Sequence, residues 1–332
     1  MRDIVGSDLK TILHSKRANI FYLEKCRVMV KDGRVVYLME DKNNNNYWNI
    51  PIANTTVILL GIGTSITQSA VRMLASASVM IGFSGNGGTP LISGNEIEWL
   101  SPQSEYRPTE YMQGWMSFWF DESKRLEVAK NFQKSRINFL KNIWSKDRDL
   151  KQEGFYIDDF NIISALDSFE NEIDHTKKVG DLLLKEALLT KKLYKISAKI
   201  TKTDDFVREH SSADLANTFL NHGNYLAYGL AATTLWVLGI SHSFAVMHGK
   251  TRRGALVFDV ADLIKDAIVL PWSFICAKEK ATEQEFRQQI LQKFTEHKVL
   301  DFMFDEVKAA ALKNYVTGKT SSNIEIQNSE KL

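Results

Sequence analysis

Residues 27–39 read RVMVKDGRVVYLM, two runs of β-forming residues that flank the dipeptide Asp32-Gly33. Both central positions of a two-residue type I′ turn need a positive φ, which this dipeptide adopts readily. The stretch therefore predicts a β-hairpin. Similar short runs bounded by turn-forming residues surround it, at Ile20–Leu23, Thr56–Leu60 and Val79–Phe83. Together they predict a β-rich N-terminal region.

Helical patterns begin after the polar, turn-prone segment Ser101–Pro108. Thr109 is a candidate cap for a helix with apolar residues at mostly three- or four-residue spacing as far as Leu126. Further helices are predicted over residues 178–203, 211–238, 258–269 and 282–314. The sequence thus predicts an α+β fold, with a β-sheet or sandwich-like domain over residues 1–105 and an all-α domain over 106–317. Residues 318–332 are predicted to be a disordered tail.

The composition is that of an ordinary globular protein, since 44% of the 332 residues are hydrophobic and 25% are charged. The formal net charge is only +2, so any nucleic-acid site must be a local basic patch. Cys26 and Cys276 are the only cysteines and lie far apart, which fits a reducing compartment. The sequence contains no signal-peptide pattern and no apolar run of membrane-spanning length. A cytoplasmic protein without membrane association is therefore expected.

Two glycine-rich segments are candidates for nucleotide-binding loops. Gly61-Ile-Gly-Thr-Ser-Ile66 has isoleucine where a dinucleotide-binding loop needs its third glycine. The cluster Gly82–Gly88 lacks the Gly-Lys-Ser/Thr ending of a P-loop and is predicted to be a surface turn. Neither segment favours a nucleotide site.

Glu186 lies within a strongly apolar helical pattern and is predicted to face inward. At about 100° per residue its nearest neighbours in projection are apolar or uncharged; they are Leu182, Leu183, Leu189, Thr190 and Leu193. Lysines at positions 191, 195 and 199 fall on the opposite side of the same helix. A buried carboxylate must be paired or bound to a metal. For Glu186 taken alone, an ion pair or a position at the surface edge is the simpler interpretation.

A second candidate group follows along the chain, where His248 precedes Asp259 and Asp262. Each has an ordinary structural alternative: a hydrogen-bonded histidine, a helix cap at Asp259 and a solvated charge at Asp262. If residues 259–262 are helical, however, both carboxylates share one face. Together with the imidazole and Glu186 they form a mixed oxygen and nitrogen set that suits Mn²⁺ and also accepts Mg²⁺. The nearby basic residues are candidates for contact with a phosphodiester backbone; they are Lys250, Arg252 and Arg253.

The same residues resemble the motifs of the CRISPR-associated adaptation integrase and endonuclease family. Residues 186–194 match its catalytic-glutamate helix, with Ala187 where many members have glycine, and 248–250 and 256–262 match its histidine and aspartate motifs in the same order. Residues 47–54, 61–68 and 99–108 resemble the type I-F branch in particular. The resemblance covers nearly the whole chain.

The resemblance implies a β domain that builds a homodimer and a helical catalytic domain that binds Mg²⁺ or Mn²⁺. It implies that Glu186, His248 and Asp262 hold the metal and that Asp259 supports them. The implied reaction joins the 3′-hydroxyl ends of a captured double-stranded DNA fragment to the edge of a CRISPR repeat by transesterification. The implied partner is the small adaptation subunit, which in type I-F is fused to the helicase-nuclease.

Further polar residues were weighed as DNA contacts. Asn217, Asn221 and Asn224 follow helical spacing, and interhelical hydrogen bonding competes with DNA binding as their role. Tyr22 is a candidate wedge at a duplex end or a packing residue of the first sheet. Two other functions stay open: a metal-dependent nuclease that cuts branched DNA with water, and a catalytically silent DNA-binding scaffold.

Overall fold

The structure is a computed structural model, which describes residues 17, 19–41, 44–85, 98–100, 109–203, 206–209, 214–249 and 254–313. The chain divides into two compact units, Met1–Tyr106 and Arg107–Leu332. The first contains the strands and the second is helical, so the predicted α+β fold class is confirmed. The predicted tail at 318–332 lies outside the described residues. Within those residues, no helix combines the length and apolar character of a membrane span.

The first unit contains two four-stranded sheets. One has the order β1-β5-β7-β8, and the other has the order β4-β3-β2-β6. The strands are β1 (Asn19–Leu23), β2 (Arg27–Lys31), β3 (Arg34–Asp41), β4 (Asn44–Asn49), β5 (Thr55–Leu60), β6 (Ser65–Ile66), β7 (Met80–Phe83) and β8 (Glu98–Leu100). The core of this unit is apolar and includes Val28, Val35, Ile58 and Leu74.

The predicted hairpin is confirmed, because β2 and β3 pair antiparallel around Asp32 and Gly33. Both turn residues have positive φ, 50° and 70°, as a type I′ turn requires. Strand β4 was not predicted, because its asparagine-rich sequence has a low intrinsic preference for strands. Pairing with β3 overrides that preference.

The segment after Gly61 forms a turn and the short strand β6, and helix α1 (Gln68–Ser76) then connects β5 to the parallel strand β7. Gly61 is required by packing, since a Cβ there would lie 2.4 Å from the hydroxyl of Tyr22. The prediction of a surface turn over Gly82–Gly88 is wrong at its first residue. Gly82 lies within β7 and pairs with Leu59, and residues 86–88 lie outside the described part of the chain.

The second unit is built from helices. They are α2 (Glu110–Trp119), α3 (Glu122–Lys146), α4 (Arg148–Gln152), α5 (Phe160–His175), α6 (Val179–Thr201), α7 (Leu215–Val237), α8 (Ala255–Ile264), α9 (Leu270–Lys278), α10 (Glu283–Glu296) and α11 over residues 299–313. A π-helical turn, Lys265–Val269, joins α8 to α9 without a loop. Helices α3 and α7 pack against α8 and this turn.

Two helix predictions were too long. The helix expected from Thr109 to Leu126 ends at Trp119, because Asp121 caps the new helix α3 by accepting hydrogen bonds from the N–H groups of Ser123 and Lys124. Thr109 occupies the first cap position but makes no side-chain cap hydrogen bond. The helix expected over 282–314 is interrupted at residues 297–298, where Lys298 has a positive φ of 50°. Local turn chemistry ended both helices while the apolar periodicity continued.

Candidate functional site

The predicted site residues come from three parts of the helical unit. Glu186 lies two turns after the start of α6, and His248 lies in the loop after α7. Asp259 and Asp262 lie on α8. Both aspartates are 3% exposed, so the alternative of a solvated charge at Asp262 is wrong. The cap position of α8 is held by Gly254, so Asp259 is not a helix cap either.

Asp259 fixes the loop that carries His248. One carboxylate oxygen, Oδ2, accepts hydrogen bonds from the backbone N–H groups of Val246 and Met247 at 2.7 and 3.1 Å. The other, Oδ1, accepts from the backbone N–H of His248 at 2.9 Å and lies 2.8 Å from its ring Nδ1. With four such contacts Asp259 has little capacity left for a metal ion. The carboxylate instead fixes the imidazole orientation, a role typical of residues behind a metal ligand.

The orientation of His248 directs its other ring nitrogen at Asp262. The distance from Nε2 to Asp262 Oδ2 is 3.6 Å, while the ammonium of Lys265 pairs with the second oxygen of the same carboxylate. Burial alone would raise the pKa of Asp262, but the charges of Lys265 and His248 outweigh it and hold that pKa below its usual value. Burial lowers the pKa of His248, but the hydrogen bond that its ring donates to Asp259, together with the charge of Asp262, raises that pKa above the usual value.

Glu186 faces inward, as predicted, and is bound there by an arginine that the sequence patterns did not single out. Arg136 on α3 donates from Nη1 to Glu186 Oε1 at 2.6 Å and from Nε to Asp266 Oδ2 at 2.7 Å. Thr190, one turn after Glu186, donates to the same Oε1 at 3.0 Å and accepts from Arg136 Nη2 at 2.9 Å. Burial raises the pKa of Asp266, partly offset by the guanidinium. The ion pair is the ordinary alternative that was considered for Glu186.

A cavity of about 40 Å³ opens beside this ion pair. Its lining includes Glu186, Asn224, Lys265 and Asp266. The volume accommodates water molecules or a single ion and is far below that of a ligand pocket for an organic cofactor.

The donor set is that of a divalent metal site, with one imidazole and carboxylate oxygens. The proposed ligands fall into two groups with different partners. His248 and Asp262 already face each other, whereas Glu186 is held by Arg136. Within the described residues, no group of three or more His, Cys, Asp or Glu side chains is arranged so that it could hold a metal ion. Arg136 and Lys265 supply positive charge that offsets part of the carboxylate charge in this arrangement.

The predicted DNA contacts fall into two groups. Lys250, Arg252 and Arg253 lie outside the described residues. Asn217 is 1% exposed, and its side chain bonds to Arg208, the backbone of Glu209 and Val207, and Asp214. Asn221 accepts from Arg208 at 2.6 Å. The partners named here lie in residues 206–209 and at the cap of α7, so these are internal hydrogen bonds but not the interhelical ones of the alternative. The burial of Asn217 argues against a direct DNA contact there.

Tyr22 fits its packing alternative. Its hydroxyl lies against Gly61 and donates to Glu24 at 3.1 Å, within the first unit. Asn224 differs from the other two asparagines, because it lines the small cavity next to Glu186.

Comparison with known proteins assigns the family. A family model described as CRISPR associated protein Cas1 matches residues 21–300, most of the chain. The chain belongs to the Cas1 family. The resemblance found in the sequence, including its type I-F branch, is thereby confirmed.

Two curated Cas1 proteins are each 53% identical to this chain. The CRISPR-associated endonuclease Cas1 of Pseudomonas aeruginosa (strain UCBPP-PA14) aligns over 96% of this chain and 100% of its own length. The protein of the same name from Pectobacterium atrosepticum aligns over 92% and 96%.

Solved Cas1-like structures share the fold. A TtCas1–DNA complex covers 90% of this chain and 91% of its own at a TM-score of 0.64 and 20% identity. A casposase bound to integration product covers 89% and 91% at a TM-score of 0.65 and 15% identity. A Cas6-RT-Cas1–Cas2 complex covers 91% of this chain and 35% of the larger chain at a TM-score of 0.62 and 11% identity. The Cas1 fold thus extends over both units.

Proposed function

We propose that this Cas1-family chain is a metal-dependent DNA endonuclease and integrase of CRISPR adaptation. It joins the 3′-hydroxyl ends of a captured DNA fragment to the edge of a CRISPR repeat by transesterification. Family membership and the two endonuclease relatives support the reaction class. The observation that carries the assignment to a site is the pair of His248 and Asp262, oriented by Asp259 beside Lys265.

Glu186, His248 and Asp262 are the proposed metal ligands. A bound Mn²⁺ or Mg²⁺ would supply Lewis-acid polarisation of the phosphoryl oxygen and stabilise negative charge in the transition state. The chain's own residues prepare this position. Asp259 keeps the Nε2 of His248 pointed at Asp262, which reduces the conformational freedom that metal binding would otherwise have to remove.

The cations of the site have a separate role in this proposal. Arg136 and Lys265 hold the carboxylates in place and offset part of their buried negative charge before a metal enters. Lys265, whose side chain is 21% exposed, is the cation proposed to interact with a phosphate oxygen, whereas Arg136 is buried. Lys250, Arg252 and Arg253 are proposed to hold the DNA backbone next to the site, together with the predicted contact at Asn221.

The direct experiment is the joining of a labelled 3′-hydroxyl DNA fragment to a repeat-bearing plasmid, with the adaptation partner subunit present. Wild type is expected to join strands with Mn²⁺ or Mg²⁺ and to stop in EDTA. Asp262→Ala should lose joining, whereas Asp305→Ala, which removes an exposed carboxylate from α11, should retain it. Joining by Asp262→Ala would refute the ligand assignment, and nicking without joining would favour the branched-DNA nuclease.

A homodimer built by the first unit is also proposed. Strand β4 lies at the edge of its sheet, and apolar side chains of β3 and β4 are exposed to solvent, with Met39 44% and Trp48 54% exposed. Exposed apolar surface of this kind marks interaction sites. Trp48→Glu is expected to shift the molar mass from dimer to monomer in light scattering. An unchanged mass in the variant would place the interface elsewhere.

The further partner is the small adaptation subunit, which in type I-F is fused to the helicase-nuclease. The Cas1–Cas2 complex among the structural neighbours supports a partner of this kind. A cytoplasmic location is proposed with it, and the two cysteines, buried and unpaired, are consistent with a reducing environment.

A further inference from the structure

The outer face of α6 carries an unusual set of positive charges. The set consists of Lys191, Lys192, Lys195 and Lys199, all exposed. No acidic residue occurs between residues 187 and 203, so nothing on this part of the helix offsets them. The entire chain has a formal charge of only +2, and four ammonium groups on one helix face are therefore a strong local departure.

The lysines form a straight row. Steps of four residues rotate the helix by only about 40°, so Lys191, Lys195 and Lys199 lie within about 80° of one another. Each step advances the row by about 6 Å along the helix axis. Glu186 projects from the opposite side of α6, into the ion pair with Arg136. The row is therefore a surface separate from the candidate metal site, although one helix supports both.

These ammonium groups have no partner within the described ranges of the chain. Other lysines of the same unit are engaged: Lys185 pairs with Glu172 at 3.0 Å, and Lys141 pairs with Glu170 at 2.9 Å. Within the described residues, the three lysines of the row and the adjacent Lys192 make no ion pair, side-chain hydrogen bond or cation–π contact. They are available to an external anion without first breaking an internal contact.

We propose that this lysine row is a sequence-independent contact for a DNA phosphate backbone, separate from the metal site. The inference rests on the proposed function, because that function requires DNA near α6. Two DNA segments must meet in strand joining, the captured fragment and the repeat. The face of α6 opposite Glu186 can bind the part of a DNA duplex that extends away from the candidate metal site.

The chemistry of the row favours nucleic acid over a protein partner. Lysine is depleted at protein–protein interfaces, whereas phosphate neutralisation by lysine is the main source of non-specific DNA affinity. A duplex presents a phosphate about every 3.4 Å along each strand, so charges about 6 Å apart can each find one. Two exposed leucines, Leu184 and Leu188, continue the same face toward the helix start and leave a protein contact there as the competing outcome.

The first test measures DNA affinity as a function of salt. The variant Lys191→Gln/Lys195→Gln is compared with a control, Lys124→Gln/Lys298→Gln, which removes two exposed lysines from other helices or turns. Both changes lower the formal charge from +2 to 0 (2 − 2 = 0), so net charge is matched. Each phosphate contact adds about 0.9 to the slope of log affinity against log salt, so the row variant should lose about 1.8 from that slope. The control should keep the wild-type slope.

A wild-type slope in the row variant would overturn the proposal, as would an equal loss in both variants. Loss of binding to the small adaptation subunit with unchanged DNA affinity would also overturn it, since the face would then be a protein interface. Circular dichroism of both variants establishes that the helices remain folded.

A second test needs no substitution. Lysine acetylation of the wild-type protein, followed by mass spectrometry, should show protection of Lys191, Lys195 and Lys199 by a duplex of random sequence, with Lys124 unprotected. Equal modification with and without DNA would contradict the proposal.

Failure of the inference can be separated from failure of the proposed function. In the strand-joining experiment at saturating DNA, the row variant should retain the wild-type turnover, because Glu186, His248 and Asp262 are unchanged. A wild type that binds DNA through the row but joins no strands would refute the proposed function and leave the inference standing. A wild type that joins strands while the row variant shows no binding defect would refute only the inference.

Discussion

Two buried ionic clusters lie in the helical unit, and they differ in charge balance. In one, Asp147 meets the ammonium of Lys293 at 3.2 Å and the imidazole of His297 at 2.8 Å. Asp147 also caps α4 by accepting hydrogen bonds from two backbone N–H groups. The two other acids that contact Lys293, Asp149 and Glu296, have side chains that are 55% and 42% exposed and are solvated. One buried carboxylate is matched there by one buried ammonium.

The cluster around Glu186 is not matched in this way. Four acidic side chains are largely buried, and two permanent cations face them, Arg136 and Lys265; the acids are Glu186, Asp259, Asp262 and Asp266. Burying excess negative charge is costly unless a cation or a proton offsets it. The balanced cluster stabilises the fold, whereas the excess of carboxylates around Glu186 favours an additional cation, in agreement with the proposed metal site.

The largest expected effect is on strand joining, which should depend on the cluster around Glu186. Glu186→Ala should lower strand joining by at least about a thousandfold, equivalent to about 4 kcal/mol of transition-state stabilisation, because it removes a proposed ligand. Asp181→Ala, an exposed acid on the same helix, is the matched control and should join normally. The rate of product formation with Mn²⁺ is the measurement. Undiminished joining by Glu186→Ala would make the acid-rich cluster merely structural.

For the free energy of unfolding, the cluster around Asp147 should have the larger effect. Asp147→Ala removes the one buried carboxylate that contacts Lys293, leaves the ammonium with the more exposed Asp149 and Glu296, and removes the cap of α4, so we expect a loss of about 3 kcal/mol in the free energy of unfolding. Asp149→Ala removes one of the two more exposed acids that contact the same lysine and should cost less than about 1 kcal/mol. Urea denaturation measures both. Equal losses would mean that burial does not distinguish the two carboxylates.

Metal should stabilise the protein only through the acid-rich cluster. An ion that binds the folded state at about 100 times its dissociation constant adds about 2.7 kcal/mol. Adding Mn²⁺ should therefore raise the melting temperature of the wild type and of Asp149→Ala, and leave that of Asp262→Ala unchanged. A rise of equal size in Asp262→Ala would locate the ion at another place.

The smallest expected effect is a loss of folding stability at low pH. Burial raises the pKa of Asp147, but the hydrogen bond with His297, the N–H of Leu150 and the ammonium of Lys293 outweigh it and keep that pKa below its usual value. The unfolded chain then binds more protons than the folded one, so this contribution is present above the unfolded pKa and is lost as pH falls through the folded pKa. Urea titrations below about pH 5 should show this loss in wild type and less of it in Asp147→Asn. Parallel acid profiles would contradict it.

Much of the fold could be predicted because its signals are local. Asp32-Gly33 encodes a turn, and the apolar periodicity around Glu186 encodes a helix with that residue inside. Strand β4 could not be found in this way, since only its pairing with β3 makes the asparagine-rich sequence extended. Local propensity is decisive where the chain turns and is overridden where a neighbour supplies hydrogen bonds.

The acids and the histidine of the candidate site could be predicted from the sequence, whereas its two cations could not. His248, Asp259 and Asp262 lie close in sequence, and the spacing of the two aspartates suggests a shared helix face. Arg136 is 50 residues from Glu186 and 130 from Asp266, so only tertiary packing brings the three together. One signal was present: Arg136 lies on the apolar face of α3, in helical register with buried Phe132 and Leu140.

The π-helical turn after Ile264 has a consequence for how this protein can change over evolution. Its wider winding accommodates one more residue than a regular turn, and the carbonyl of Ala267 within it accepts the indole N–H of Trp144 at 3.0 Å. Deleting a single residue there would restore regular winding and displace the carbonyl that accepts from Trp144, together with Lys265 and Asp266. Insertions and deletions should therefore be excluded from residues 259–269 among functional descendants, and Lys265 and Asp266 should be retained because they pair with Asp262 and Arg136.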